Sequence, residues 1–228
     1  MTDAATAAQP LKIDFVSDVV CPWCVIGLRG LEAALTRLDG EVRAQIAFHP
    51  FELNPDMPPE GQNIVEHVGQ KYGASPQQSA ANRAAIKARA AELGFTMTGT
   101  DQSRIYNTFD AHRLLHWAGL QSPAAQAALK HALFTAYFTD GANPSAPDVL
   151  AAAVQAAGLD LAQAKDVIAS GRYAEEVRAA ERHWRTNGIS AVPAVIVNDR
   201  YLISGGQPPE AFERALRTIA AEAAAAAG

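Results

Sequence analysis

With 228 residues, of which 49% are hydrophobic and 19% charged, the chain can bury a sizeable core and is too apolar to be disordered. Its formal net charge of −5, with Lys and Arg scattered, excludes a general electrostatic hold on nucleic acid or an anionic membrane, since both need a basic face. The opening MTDAATAAQP lacks the basic and apolar regions of a secretory leader, and no apolar run nears the ~20 residues of a membrane-spanning helix. The expectation is therefore a soluble cytoplasmic protein. In that compartment thiols stay mostly reduced, so its two cysteines are read as catalytic or metal-binding rather than as a permanent staple.

LKIDFVS, residues 11–17, alternates apolar and polar positions and predicts a strand. From Pro22 the apolar residues Val25, Leu28, Leu31, Leu35 and Leu38 recur at helical spacing until Gly40 stops them. Residues 42–53 read as a second strand, which completes a βαβ unit. After the proline-rich turn NPDMPPEG, residues 63–187 are Ala-rich and helical, with no strand expected. Ser75-Pro76 and Ser122-Pro123 place a capping hydroxyl before a first-turn proline, and Gly94, Gly119, Gly158 and Gly171 are the expected stops. AVIVN and YLISG then read as two short strands joined at Asp199-Arg200. An amphipathic helix opens at QPPEAF, and its Ala-rich tail is expected to fray. The order predicts an α/β chain with βαβ and ββα halves: one discontinuous domain, residues 11–61 and 188–228, interrupted by a helical insertion, residues 62–187.

Both cysteines sit in SDVVCPWCVIG, at the first strand-to-helix junction. A dithiol couple needs an attacking thiolate and a second sulfur near enough to resolve the mixed disulfide. Cys21 falls at the helix start, where unpaired N–H groups and the macrodipole favour negative charge, so its pKa should be depressed and it is the expected nucleophile. Cys24 lies one turn deeper on the same face and is the expected resolving thiol. Pro22 suits the first helical turn, and Trp23 occupies the remaining place between the sulfurs. A metal reading needs two further ligands, for which His112 and His116, at i and i+4, are the candidates. A bland reading makes both sulfurs buried and inert, although a helix start is a poor place to hide sulfur. The position of CxxC between a strand and a helix favours redox chemistry, with no metal ligands assigned.

GISAVPAVIVN supplies a second signal. A proline just before a strand lacks the ladder N–H and marks an edge or a special turn. If the Val192–Pro193 bond is cis, the turn exposes the backbone groups of Val192 for pairing with a substrate held beside Cys21.

CPWC after the first strand together with Val192-Pro193 resembles the active-site motif and cis-proline loop of the DsbA family of the thioredoxin superfamily. FELNPDMPPEG, YNTFDAHRLLHWA and SGGQPPEAFERAL extend the likeness to its FrnE-like cytoplasmic branch. The resemblance implies a thioredoxin fold with an inserted helical block and a dithiol–disulfide oxidoreductase, with isomerase activity within its range. It implies protein or small-molecule thiols and disulfides as substrates, glutathione as the candidate co-substrate, no bound cofactor, and a monomer or homodimer. His112 and Arg113 fall in the segment resembling the helix that faces the active site, and Asn107 lies just before it. His112 and Asn107 are thus candidate groove residues, against the plain alternative of a packed or surface position.

The periplasmic oxidants of that family have His where this chain has Trp23, which implies a less oxidising couple here. The related kappa-class glutathione transferases and 2-hydroxychromene-2-carboxylate isomerases use Ser at the position of Cys21. A glutathione-dependent isomerase or transferase is therefore the alternative enzyme, and a thiol-bearing chaperone-like binder the alternative from another class. The SGGQPPE turn could offer N–H groups to a glutathione carboxylate, but Pro208 and Pro209 remove donors and Glu210 adds a like charge. KHALFTAYF reads as core packing ahead of an aromatic binding stripe.

Overall fold

The structure, a computed structural model, describes residues 10–227; the stretch read above for a leader falls, up to residue 9, outside the described residues. β1 (Leu11–Ser17) is buried at every position but Lys12, as a strand covered on both faces must be. It leads into α1 (Pro22–Arg37), whose apolar side is Val25, Leu28 and Leu31. β2 (Ala44–Pro50) returns parallel to β1, with Phe15 opposite Phe48 and their rings edge to face at 5.7 Å.

The chain then leaves the sheet. β3 (Gln62–Asn63), α2 (Ile64–Tyr72) and α3 (Pro76–Glu92) are followed by β4 (Arg104–Ile105), α4 (Phe109–Gln121) and α5 (Pro123–Phe134). A π-helical turn (Thr135–Thr139), α6 (Pro147–Ala156), α7 (Leu161–Ser170) and α8 (Ala174–Thr186) complete this block. Ser75 caps α3 through a reciprocal box with Gln78, and Ser122 accepts from the N–H of Ala125 at the start of α5. The chain rejoins the sheet as β5 (Ala194–Val197) and β6 (Tyr201–Ser204), and ends in α9 (Pro209–Ala227).

The sheet order is β2–β1–β5–β6, parallel for the first pair and antiparallel for the other two. α1 and α9 pack together through Leu28, Leu31, Phe212 and Leu216 on a core that also takes Ile13, Phe15, Val195 and Val197. Val16 and Ala194 meet Phe51, Ile189 and Trp184 of α8 in a second cluster. The helical block has a third core, around Leu114, Leu129, Leu150 and Val167.

Four details differ from the sequence reading. β3 and β4 pair antiparallel inside the segment expected to hold no strand; two-residue strands are too short to produce a period. The β5–β6 turn is centred on Asn198 and Asp199, both at positive φ (53° and 55°), one residue earlier than expected. Short polar side chains tolerate that conformation, and Oδ1 of Asn198 also accepts from the N–H of Lys12 at 3.0 Å. Gly119 does not stop α4: a β-carbon there would stand 2.8 Å from Nε2 of Gln126, so it permits a close helix approach. The Ala-rich tail remains helical to Ala227.

Candidate active site

The turn between β1 and α1 bridges two of these cores. Val19 and Val20 are buried in the helical-block core, while Cys21 and Cys24 are buried in the core under the sheet. The thiols therefore sit where the block meets the sheet. Cys21 is the N-cap of α1, with extended backbone (φ −90°, ψ 113°), and Pro22 fills the first helical turn. The N–H of Cys24 donates to the carbonyl of Cys21 at 3.0 Å, which fixes the second sulfur one turn on.

Both cysteines are free thiols. The Cys21 thiol donates to the carbonyl oxygen of Val192 across 3.6 Å. The Val192–Pro193 bond is cis, and the carbonyl of Pro193 accepts from the N–H of Gly205 at 2.8 Å, tying this loop to the end of β6. Gly27 lets the loop lie against α1, since a β-carbon there would stand 2.9 Å from Cγ of Pro193. Cys21 is more enclosed than a helix-start sulfur was expected to be, at 3% exposed, and Cys24 is fully buried. Burial, then the neighbouring Cys21, push the Cys24 thiol well above its ordinary value, so it is a neutral thiol in the resting dithiol. Trp23, between the two cysteines in the chain, is 42% exposed.

Asn107 and His112 both make contacts within the fold. Oδ1 of Asn107 accepts from the N–H of Phe109 at the start of α4, and its amide reaches the carbonyl of Pro55 at 3.2 Å. His112 is 2% exposed, with Nε2 3.4 Å from Oδ1 of buried Asp18. Burial raises the Asp18 carboxyl, but His112 and the N–H of Leu53, at 2.8 Å, outweigh it and hold the group below its usual value. The ring of His116 packs against Tyr173, 5.1 Å between centroids. Among the described residues no group of three or more His, Cys, Asp and Glu side chains is placed to hold a metal ion.

Two neighbours of the pair escaped the sequence reading, Asp18 and Lys130. The inward positions of α5 are Gln126, Leu129, Lys130, Leu133 and Phe134, a helical stripe that contains a lysine. That stripe was legible as a pattern; KHALFTAYF was read for its aromatic residues alone.

The sheet order and the helix-start thiols mark a thioredoxin-like thiol protein with helices inserted between its two halves. The chain belongs to the DsbA-like thioredoxin domain family, whose model matches residues 12–217. A crystal structure of a probable DsbA oxidoreductase from Streptomyces coelicolor is similar at 32% identity and a TM-score of 0.84, covering 93% of this chain and 90% of that one. The uncharacterized protein YwbO of Bacillus subtilis is 27% identical over 207 residues, 90% of this chain and 96% of its own length. The fold also matches the cytosolic disulfide reductase DsbM of Pseudomonas aeruginosa, solved with GSH, at 20% identity and a TM-score of 0.60, covering 91% and 98% of the two chains. The family assignment agrees with the resemblance drawn from the sequence and places this chain in the DsbA-like thiol oxidoreductase family.

Proposed function

We propose that this chain is a dithiol–disulfide oxidoreductase and isomerase in which Cys21 attacks and Cys24 resolves. The observation that carries the reading is the placing of the Cys21 sulfur at an N-cap, facing the Val192 carbonyl, with Cys24 fully buried one turn behind it. The Cys21 thiolate attacks one sulfur of a substrate disulfide, forming a mixed disulfide and releasing a thiolate that takes a proton from water. The Cys24 thiol gives up its proton as its sulfur attacks Cys21 Sγ, and the second substrate sulfur leaves with the electron pair and takes up a proton. The substrate gains two electrons and the Cys21–Cys24 pair becomes a disulfide. Two molecules of a thiol such as glutathione return it to the dithiol; the fold shared with the glutathione-bound Pseudomonas reductase supports that choice.

Val192 and Pro193 shape the docking surface, Pro22 and Trp23 modulate the pair, and Asn107 and His112 support the surrounding elements. The electrons reside in the cysteine pair, so the reaction needs no bound cofactor. The cytoplasm is the proposed compartment, supported by the cytosolic description of the Pseudomonas reductase; no described helix is long and apolar enough to cross a membrane. We take residues 11–61 and 188–228 as the redox domain and 62–187 as the insertion; most buried residues of the block share one core, while Ala90, Phe95 and Phe134 join the core under the sheet.

Insulin reduction with glutathione as electron source tests the reading. The unsubstituted protein should turn over, and Cys21→Ser should lose activity by at least about 100-fold. Retained glutathione-dependent chemistry in Cys21→Ser would move the assignment to the isomerase or transferase. Client holding without turnover would move it to a chaperone.

A further inference from the structure

A polar cleft of about 350 Å³ opens between α1, the loop after α3, and α5 with its π-helical turn. Arg29 of α1, Phe95 and Thr96 of the loop, and His131, Thr135 and Thr139 line it. Arg29 stands about two turns along α1 from Cys21, so the cleft is separate from the sulfurs. His131, Thr135 and Thr139 follow one another at intervals of four residues. In an unbroken α-helix that spacing drifts round the axis by about 40° a step, which would carry Thr139 away from His131. The π-turn winds less per residue: the N–H of Asp140 donates to the carbonyl of Thr135, at i−5, across 3.0 Å. The drift is turned back, and all three residues stay on the cleft. Turns of this kind are rare and collect at functional sites. The hydroxyl of Thr139 donates to the carbonyl of Thr96 at 2.7 Å, while Thr135 is exposed.

Arg29 is the unsatisfied group of this lining. Its Nε is buried and has no hydrogen-bond partner among the described residues. Its Nη1 is 3.6 Å from Oε2 of Glu32, too far for a hydrogen bond. Glu32 is engaged instead with His131, whose Nε2 lies 2.6 Å from Oε1. A guanidinium presents its donors as a planar fork that a carboxylate meets with both oxygens, and a buried donor left unmet is costly. Glu32 also sets the charge that the cleft accepts. A dianion such as phosphate would face that negative charge close by, whereas a single carboxylate is balanced by Arg29.

We propose that this cleft is a binding site for a small, singly charged carboxylate that carries hydroxyl groups, a sugar acid or hydroxy acid by chemical class. Arg29 takes the carboxylate, with Nε and one Nη donating to its two oxygens. Thr135 meets a hydroxyl, and Phe95, which is buried, offers apolar surface to the carbon chain. α1 belongs to the redox domain and the other lining residues to the helical block, so the ligand bridges the two. The site uses neither cysteine and stands apart from the oxidoreductase reading.

Calorimetric titration of the full-length protein tests this, with gluconate as the probe and inorganic phosphate and glycerol as the contrasting solutes. Gluconate should bind once per chain with a Kd of about 1 mM or tighter. Phosphate should bind at least about tenfold more weakly, and glycerol, which has no charge for Arg29, weaker still. Arg29→Gln should weaken gluconate at least about tenfold; with 37% of the side chain exposed, the substitution leaves the core intact. Glu32→Gln removes the repelling charge and should tighten phosphate at least about tenfold. Gluconate that fails to bind the unsubstituted protein at about 20 mM would overturn the site, and so would equal affinity for Arg29→Gln. Phosphate or glycerol binding the unsubstituted protein as tightly as gluconate would overturn the carboxylate assignment. An unchanged phosphate affinity in Glu32→Gln would overturn the selection by charge.

Discussion

The Cys21 sulfur and the carbonyl oxygen of Val192 stand 3.6 Å apart, although 171 positions separate them in the chain. The contact crosses the whole helical block, so the redox site exists only when β5 has closed on β1. What holds Val192-Pro193 against α1 should therefore matter to activity as well as to stability.

Gly27 is that support. An added β-carbon meets Pro193 Cγ at 2.9 Å, and Pro193 is buried. Gly27→Ala should cost about 1–3 kcal/mol through overpacking. It should also slow insulin reduction at temperatures where the variant is still folded, because the loop moves away from Cys21. Thermal denaturation and the activity assay check this together; unchanged values in both would remove Gly27 from the account.

Trp23 is where the couple can be retuned without touching the buried core, since it is an exposed residue. An imidazolium in its place would favour the Cys21 thiolate and hence the reduced form, which makes the disulfide more oxidising. Trp23→His should raise the reduction potential by at least about 30 mV, roughly tenfold in the equilibrium with glutathione. An unaltered equilibrium would mean that the middle residue does not set the potential here.

Gln126 ties the helical block to the sheet. Its side chain accepts from the N–H of Phe48 and donates to the carbonyl of the same residue, both at 2.9 Å, and donates to the carbonyl of Leu115 at 3.2 Å. β2 is an edge strand, and this amide occupies backbone groups that its missing neighbour would take. Gln126→Leu should orphan them at a cost of about 2–4 kcal/mol. The melting temperature should fall by roughly 5–12 °C.

Much of this arrangement was readable in advance, and the rest was not, for physical reasons. β1, α1 and the β5–β6 hairpin carry local signals: alternation, helical spacing, and turn residues that accept positive φ. CPWC and Val192-Pro193 were legible because few residue types suit a helix-start thiol or a strand-start proline. Asn107 and His112 were not settled by pattern, since an amide that serves Phe109 and an imidazole set against Asp18 depend on distant packing. Gln126 and Lys130 look like ordinary polar residues of an Ala-rich helix until the stripe they share with Leu129, Leu133 and Phe134 is seen to face inward.

Glu52 gives the fold a pH dependence of its own. It is buried between Arg178 and Glu181, and burial first, then Glu181, raise its carboxyl from 4.5 to about 7. Its folded value thus lies above its unfolded one, so the unfolded chain binds fewer protons between the two. Stability from this group is fully present below pH 4.5 and is lost as pH rises to about 7, by an amount on the order of 2–3 kcal/mol. Melting temperatures of the unsubstituted protein and Glu52→Gln should diverge over that interval, with the variant the less pH-dependent. Parallel curves would show that Glu52 titrates normally.

The division of labour between the two sulfurs is tested most directly by incubating Cys24→Ala and Cys21→Ser separately with glutathione disulfide and weighing the intact proteins by mass spectrometry. Cys24→Ala should carry one glutathione on Cys21, stable because nothing resolves it, while Cys21→Ser should carry none, because Cys24 is enclosed and held as a neutral thiol. A glutathione on Cys24 in the Cys21→Ser protein, or none on Cys21 in the Cys24→Ala protein, would contradict the account.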